Sequence, residues 1–154
     1  MDQAFLGFIL PVASIVPVTV FDLKYRIIHD WLTLPLLTAG LAFSCAPQGI
    51  TPYLALAGVF CGGGTLWAIE WIGRHVTGKE GMGGGDIKYM AALGAFIGPI
   101  PALALLFIAS ITALLFSAGR ACRTRQFLGA TLPFGPFLCA GLICTLVLMK
   151  KGIF

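Results

Sequence analysis

Residues 31–69 read WLTLPLLTAGLAFSCAPQGITPYLALAGVFCGGGTLWAI, 39 positions without one Asp, Glu, Lys or Arg. About 18 apolar, uncharged residues already suffice to cross a bilayer. The stretch is too long for a single crossing, and it breaks at Ala46-Pro47-Gln48-Gly49-Ile50-Thr51-Pro52. Proline and glycine there interrupt helical continuation. The reading is therefore two spans, about 32–45 and 53–72.

Three further uncharged runs flank this one, at 3–21, 89–119 and 126–149. The run at 89–119 divides at Gly98-Pro99-Ile100-Pro101. Six helices are predicted: 4–21, 32–45, 53–72, 86–99, 101–118 and 133–149. The fold class expected is an all-α polytopic membrane protein, with about six transmembrane helices in one bundle and a single catalytic domain over 1–154. The composition agrees: 58% hydrophobic, 10% charged, mean hydropathy +0.96. A soluble domain carries about 25% charged residues. An ordinary soluble domain, a disordered tail, a coiled coil and a nucleic-acid-binding module are thereby excluded. The N-terminus lacks a basic stretch and a small-residue cleavage site, so its apolar run is read as a retained span. Five cysteines without a Cys-x-x-Cys pair predict neither a zinc site nor a disulfide framework. The small residues Gly62-Gly63-Gly64 are read as helix-packing positions.

The basic residues fix an orientation. Lys24 and Arg26 follow helix one, Arg74, Lys79 and Lys88 surround the link between helices three and four, and Arg120, Arg123 and Arg125 follow helix five. With six spans these eight bases share one face, which the positive-inside rule makes cytoplasmic. Both ends of the chain are then extracytoplasmic. Only Lys150 and Lys151 fall on the other side.

Six acids remain. Asp2 sits at the terminus and Glu80 in a polar loop. Glu70, between Trp67 and Trp71, reads as an acid snorkelling out of an interfacial aromatic belt. Asp22 closes the first apolar run, and Asp86 opens the fourth behind Gly81-Met82-Gly83-Gly84-Gly85. A capping role for Asp86 and an ion pair for Asp22 with Lys24 or Arg26 are the plain alternatives. Two acids at membrane depth on one face point instead to a site. A close carboxyl pair shares a proton, so one member can activate water while the other protonates a peptide carbonyl. Glycines beside Asp86 admit a substrate backbone, and their stretch could also move as a lid. His29 and His75 have neither a nucleophile partner nor metal-ligand spacing. No phosphate loop or dinucleotide fingerprint occurs, and no metal or cofactor is expected.

At these residues the chain resembles a known family. Phe21-Asp22-Leu23-Lys24-Tyr25-Arg26-Ile27-Ile28 with Trp31-Leu32-Thr33 is similar to the first aspartate motif of the type IV prepilin peptidases. Gly81-Met82-Gly83-Gly84-Gly85-Asp86-Ile87-Lys88, continuing as Ala91-Ala92-Leu93-Gly94-Ala95, resembles their second, of the G-x-G-D form. Leu132-Pro133-Phe134-Gly135-Pro136-Phe137-Leu138 resembles a third signature near their last helix. Three motifs in order cover about residues 5–149.

The resemblance implies a membrane aspartic endopeptidase that removes the short basic leader of prepilins or pseudopilins. Cleavage falls at the cytoplasmic face of a prokaryotic inner membrane, usually just after a glycine and before an apolar helix. Asp22 and Asp86 match the catalytic aspartates. Gly83, Gly84, Gly85, Lys88 and Asp30 are candidate supports for the substrate or the loop, and Asp30 and Glu80 could draw in the basic leader. Many relatives carry Pro-Asn where this chain has His29-Asp30. Larger relatives carry an N-terminal cytoplasmic region with paired cysteines and also methylate the new pilin N-terminus; without that region, a peptidase-only short form without methyl transfer is expected here. Partners implied are the prepilin and membrane lipid, with no nucleic acid. An inactive relative, a small transporter and a presenilin-type protease are the competing readings.

Overall fold

A computed structural model describes residues 7–47, 49–78, 83–124 and 133–153. The elements are α1 (Ile9–Tyr25), α2 (Asp30–Ser44), α3 (Pro52–Val59), a π-helical turn (Phe60–Gly64), α4 (Thr65–Thr77), α5 (Gly84–Ile97), α6 (Pro99–Thr124) and α7 (Gly135–Lys150). No strand occurs among the described residues. Because the π turn joins α3 to α4 without a break, the seven helices form six rods. Among the described residues two helical stretches are long and apolar enough to cross a membrane, Pro52–Val76 and Pro99–Arg120.

The predicted segments all appear, with shifted ends. The first helix runs on to Tyr25, so Asp22 lies inside its last turn rather than beyond it. Arg26 stops it in a left-handed conformation, φ 56°, with its N–H on the Asp22 carbonyl at 2.9 Å. The third continues past residue 72 to Thr77 and ends on Gly78, which takes the left-handed φ of 65°. The fifth rod reaches Thr124, so Arg120 and Arg123 belong to its last turns instead of a loop. Glu80, Gly81, Met82 and Arg125 lie outside the described residues.

α5 is the hub. Tyr89, Met90, Ala92, Leu93 and Ala95 are fully buried. α2 packs along one flank, α3 and the π turn along another, and α6 closes against it. Its 14 residues span about 21 Å, short of a bilayer core of about 30 Å. A helix wrapped in other helices needs no match to lipid thickness. The tightest approach is at Gly58 and Gly94, where the two backbones touch and any Cβ would strike a carbonyl. Gly63 sits likewise on Ala91, a Cβ there falling 2.6 Å from the Ala91 Cβ. Gly64 differs, since a Cβ added to it meets only open space. α7 packs on α6 and on α1, carrying Leu138 and Leu142 into the core.

Candidate active site

The end of α1, the start of α5 and the start of α7 come together around two carboxyl groups. Asp22 belongs to the last turn of α1 and Asp86 to the first turn of α5. Both side chains are buried, and the two carboxyls lie within Coulombic reach of each other. Asp22 is held by a backbone donor: the Gly135 N–H gives a hydrogen bond to its Oδ2 at 2.7 Å. A Cβ at Gly135 would itself lie 2.7 Å from that oxygen and 3.1 Å from Asp22 Cγ, so only glycine lets the start of α7 come this near. Asp86 Oδ1 is buried and has no hydrogen-bond partner among the described residues. A buried acceptor of this kind is costly unless it serves a further group.

The three glycines before Asp86 do different things. Gly83 stands in an extended conformation as the residue before the helix, and its carbonyl accepts the Asp86 N–H at 3.1 Å. Gly84 has open space where a Cβ would be. Gly85 lies against the α1–α2 link, where a Cβ would come within 2.6 Å of the Ile28 carbonyl oxygen. Gly85 thus docks the start of α5 against the chain leaving α1, which brings Asp86 toward Asp22.

Lys88 and Asp30 are brought to each other. Lys88 Nζ reaches Asp30 Oδ1 at 2.7 Å and Oδ2 at 2.6 Å, with about half of each side chain exposed. The pair ties the start of α2 to α5. Asp30 is therefore already engaged by a cation of its own chain. His29 caps α2 through its carbonyl and sets its ring edge-on to Phe21, 5.4 Å between centroids.

Two readings change. Glu70 is buried at 8% exposure and does not snorkel, because α4 turns it toward the start of α5 while Trp67 and Trp71 face outward at 59% and 52%. Gly135, given no role from the sequence, proves to be the partner of Asp22. The signal was present in Phe134-Gly135-Pro136, a glycine directly before a first-turn proline, but its partner stands 113 residues away. Beneath the aspartates lies a small polar cluster. The Tyr89 hydroxyl is 3.0 Å from Ser14 Oγ, which donates to the Pro11 carbonyl at 2.7 Å, and Cys139 Sγ is 3.8 Å from the same hydroxyl. Among the described residues no group of His, Cys, Asp and Glu is arranged to hold a metal ion.

Comparison with known proteins adds an independent line. A model of the type IV leader peptidase family matches residues 5–118. A prepilin leader peptidase/N-methyltransferase of Aeromonas salmonicida is 37% identical over 133 residues, 86% of this chain and 46% of that protein. Proteins of the same name from Xanthomonas campestris pv. campestris and Dickeya chrysanthemi are 36% and 35% identical, covering 86% and 97% of this chain and 46% and 53% of their own. The chain spans about half the length of the curated relatives it matches. No solved structure matches it.

Proposed function

We propose, from the premise that the chain belongs to the type IV leader peptidase family, that it cleaves prepilin or pseudopilin leaders as an aspartic endopeptidase using Asp22 and Asp86. The observation that carries this reading is the convergence of these two buried carboxyls from separate helix ends. A carboxyl pair at short range holds one proton between its members. The unprotonated carboxylate takes a proton from water as that water attacks the peptide carbonyl. The other carboxyl supplies a proton to the carbonyl oxygen, and the pair then returns one to the departing amine. The Gly135 N–H keeps one oxygen of Asp22 fixed, so its second oxygen presents a constant direction to the water. Asp86 Oδ1, the buried acceptor without a partner among the described residues, is the atom left to serve the water or the substrate.

The two aspartates lie near the basic link residues, which supports a cytoplasmic active face and six crossings in the inner membrane of a prokaryote. Lys24, Arg26 and Lys88 lie at or next to the helix ends that hold the aspartates, and Arg74 lies in the last turn of α4. A reporter fused after Lys151 is then expected to read extracytoplasmic. Open space at Gly84 gives a substrate backbone room beside the first turn of α5. Methyl transfer is not expected from these residues, and methylation of a cleaved pilin by the purified chain alone would contradict that.

Co-expression with a prepilin tests the assignment, read as the gel shift on leader removal. Wild type cleaves, whereas Asp22→Asn and Asp86→Asn each leave the prepilin intact while reaching the membrane in normal amounts. Cleavage at a normal rate by either variant refutes the catalytic pair.

A further inference from the structure

Asp30, Leu34 and Leu37 recur at helical spacing along α2, so one face of that helix passes from an acid into apolar residues. Leu34 and Leu37 wall a groove of about 680 Å³. Phe60, Gly64 and Trp67 of the third rod form its opposite wall, and Lys88 of α5 lies at its polar end. Among the described lining residues Lys88 carries the one charge. The third-rod wall extends from Val59 to Ala68, nine residues or about 14 Å along a helix. Half of a bilayer core of about 30 Å is about 15 Å, the depth of one leaflet's acyl chains. The groove faces outward, since Phe60 and Trp67 are largely exposed and a Cβ added at Gly64 meets nothing within 4 Å.

The charges at that end select an occupant. Lys88 Nζ donates to Asp30 Oδ1 at 2.7 Å and to Oδ2 at 2.6 Å, and about half of each side chain is exposed. An ammonium has three N–H donors and a carboxylate about four acceptor positions, so each partner keeps capacity for a further group. A purely anionic headgroup meets repulsion from Asp30, and a purely cationic one meets it from Lys88. A headgroup bearing both a phosphate and an ammonium satisfies the pair, phosphate toward Lys88 and ammonium toward Asp30. A primary ammonium also donates charge-assisted hydrogen bonds to the carboxylate, which a quaternary ammonium cannot. We propose that this groove holds one ethanolamine phospholipid, its acyl chain between α2 and the third rod and its headgroup across Lys88 and Asp30. The inference stands apart from cleavage by Asp22 and Asp86 and needs only a chain set in lipid.

Phospholipids with brominated acyl chains quench a neighbouring indole, so the full-length chain carrying Trp31→Phe and Trp71→Phe reports on Trp67 alone. In detergent–lipid micelles this protein is expected to bind brominated phosphatidylethanolamine about tenfold more tightly than brominated phosphatidylcholine. That factor is the usual worth of a hydrogen bond to a charged group, and competition with unbrominated lipid measures it. Adding Asp30→Asn brings the two lipids within about twofold and, with Lys88 left as the sole charge, turns the preference toward phosphatidylglycerol. Gly64→Leu places a side chain in the open groove and reduces quenching of Trp67 with every headgroup. Should Gly64→Leu fail to fold, the headgroup comparison between the reporter protein and its Asp30→Asn form decides alone. Equal affinity for ethanolamine and choline lipids overturns the inference, as does an ethanolamine preference that survives Asp30→Asn. Quenching that ignores the headgroup and is relieved by the apolar segment of a prepilin also overturns it, giving the groove to the substrate. No arm reads cleavage, so failure of the peptidase reading leaves this test intact.

Discussion

The amide of Gly135 donates to Asp22 Oδ2 at 2.7 Å, joining the start of α7 to the end of α1 across 113 residues of sequence. This bond makes a glycine in the third motif part of the aspartate site. A side chain cannot be added without moving the carboxylate, since the nearest Asp22 atoms would stand 2.7–3.1 Å from a new Cβ. Gly135→Ala is therefore expected to lower kcat for prepilin processing about tenfold to a hundredfold, the usual result of misplacing a reacting group by about 1 Å. Steady-state rates normalised to membrane-inserted protein check it, and a wild-type rate in Gly135→Ala would show that the bond does not position Asp22.

Two glycines of the third rod separate packing from function. Gly58 meets the Gly94 backbone with no room for a methyl group, so Gly58→Ala must push α3 away from α5. Overpacking of this kind costs about 1–3 kcal/mol and sometimes more. Gly64→Ala points into open space and gains helix propensity, so its stability is expected to stay within about 0.5 kcal/mol of wild type or rise slightly. Thermal unfolding in one detergent compares the two directly. Equal losses at both positions would contradict the close α3–α5 approach.

The six rods were legible because uncharged runs and Pro-Gly breaks report directly on chain segments that avoid water. Their ends were less so. Asp22 reads as the residue that stops a helix, yet the helix carries it inward for another turn because Arg26 provides the left-handed cap. The carboxyl pair was legible as two acids out of place among apolar residues. What held them was not, because Gly135 acts through its backbone and backbone donors leave no pattern in composition. Glu70 was misread for a related reason. Its neighbours Trp67 and Trp71 mark a membrane interface, but only the packing of α4 on α5 determines which face of the helix turns inward.

Asp30 and Lys88 form the shortest ion pair described, yet about half of each side chain is exposed. Exposed pairs contribute about 0–1 kcal/mol and weaken with salt. Asp30→Asn is expected to retain processing within about threefold of wild type, in contrast to Asp22→Asn. Its stability loss should stay below about 1 kcal/mol and shrink at high ionic strength. Abolished cleavage in Asp30→Asn, measured in the same gel-shift assay, would move Asp30 into the catalytic machinery and displace the present assignment.

Tyr89 is fully buried three residues after Asp86, its hydroxyl 3.0 Å from Ser14 Oγ. From α5 its side chain reaches Ser14 of α1 and Cys139 of α7, so it links the same three helices that carry Asp86, Asp22 and Gly135. The two parts of this side chain are expected to have separate effects. Tyr89→Phe removes one hydroxyl contact and leaves Ser14 its bond to the Pro11 carbonyl, a loss of about 0.6 kcal/mol, typical of polar contacts between helices in a membrane. Activity should remain near wild type. Tyr89→Ala removes that link, costs about 3–5 kcal/mol, and lets α1 and α7 shift against α5. Processing should fall sharply in that variant even at temperatures where it stays folded. If Tyr89→Phe were instead as inactive as Tyr89→Ala while melting like wild type, the hydroxyl would have to take part in the chemistry above it. The pair of variants, assayed for melting and for prepilin cleavage on the same samples, distinguishes a ring that spaces three helices from a hydroxyl that handles protons.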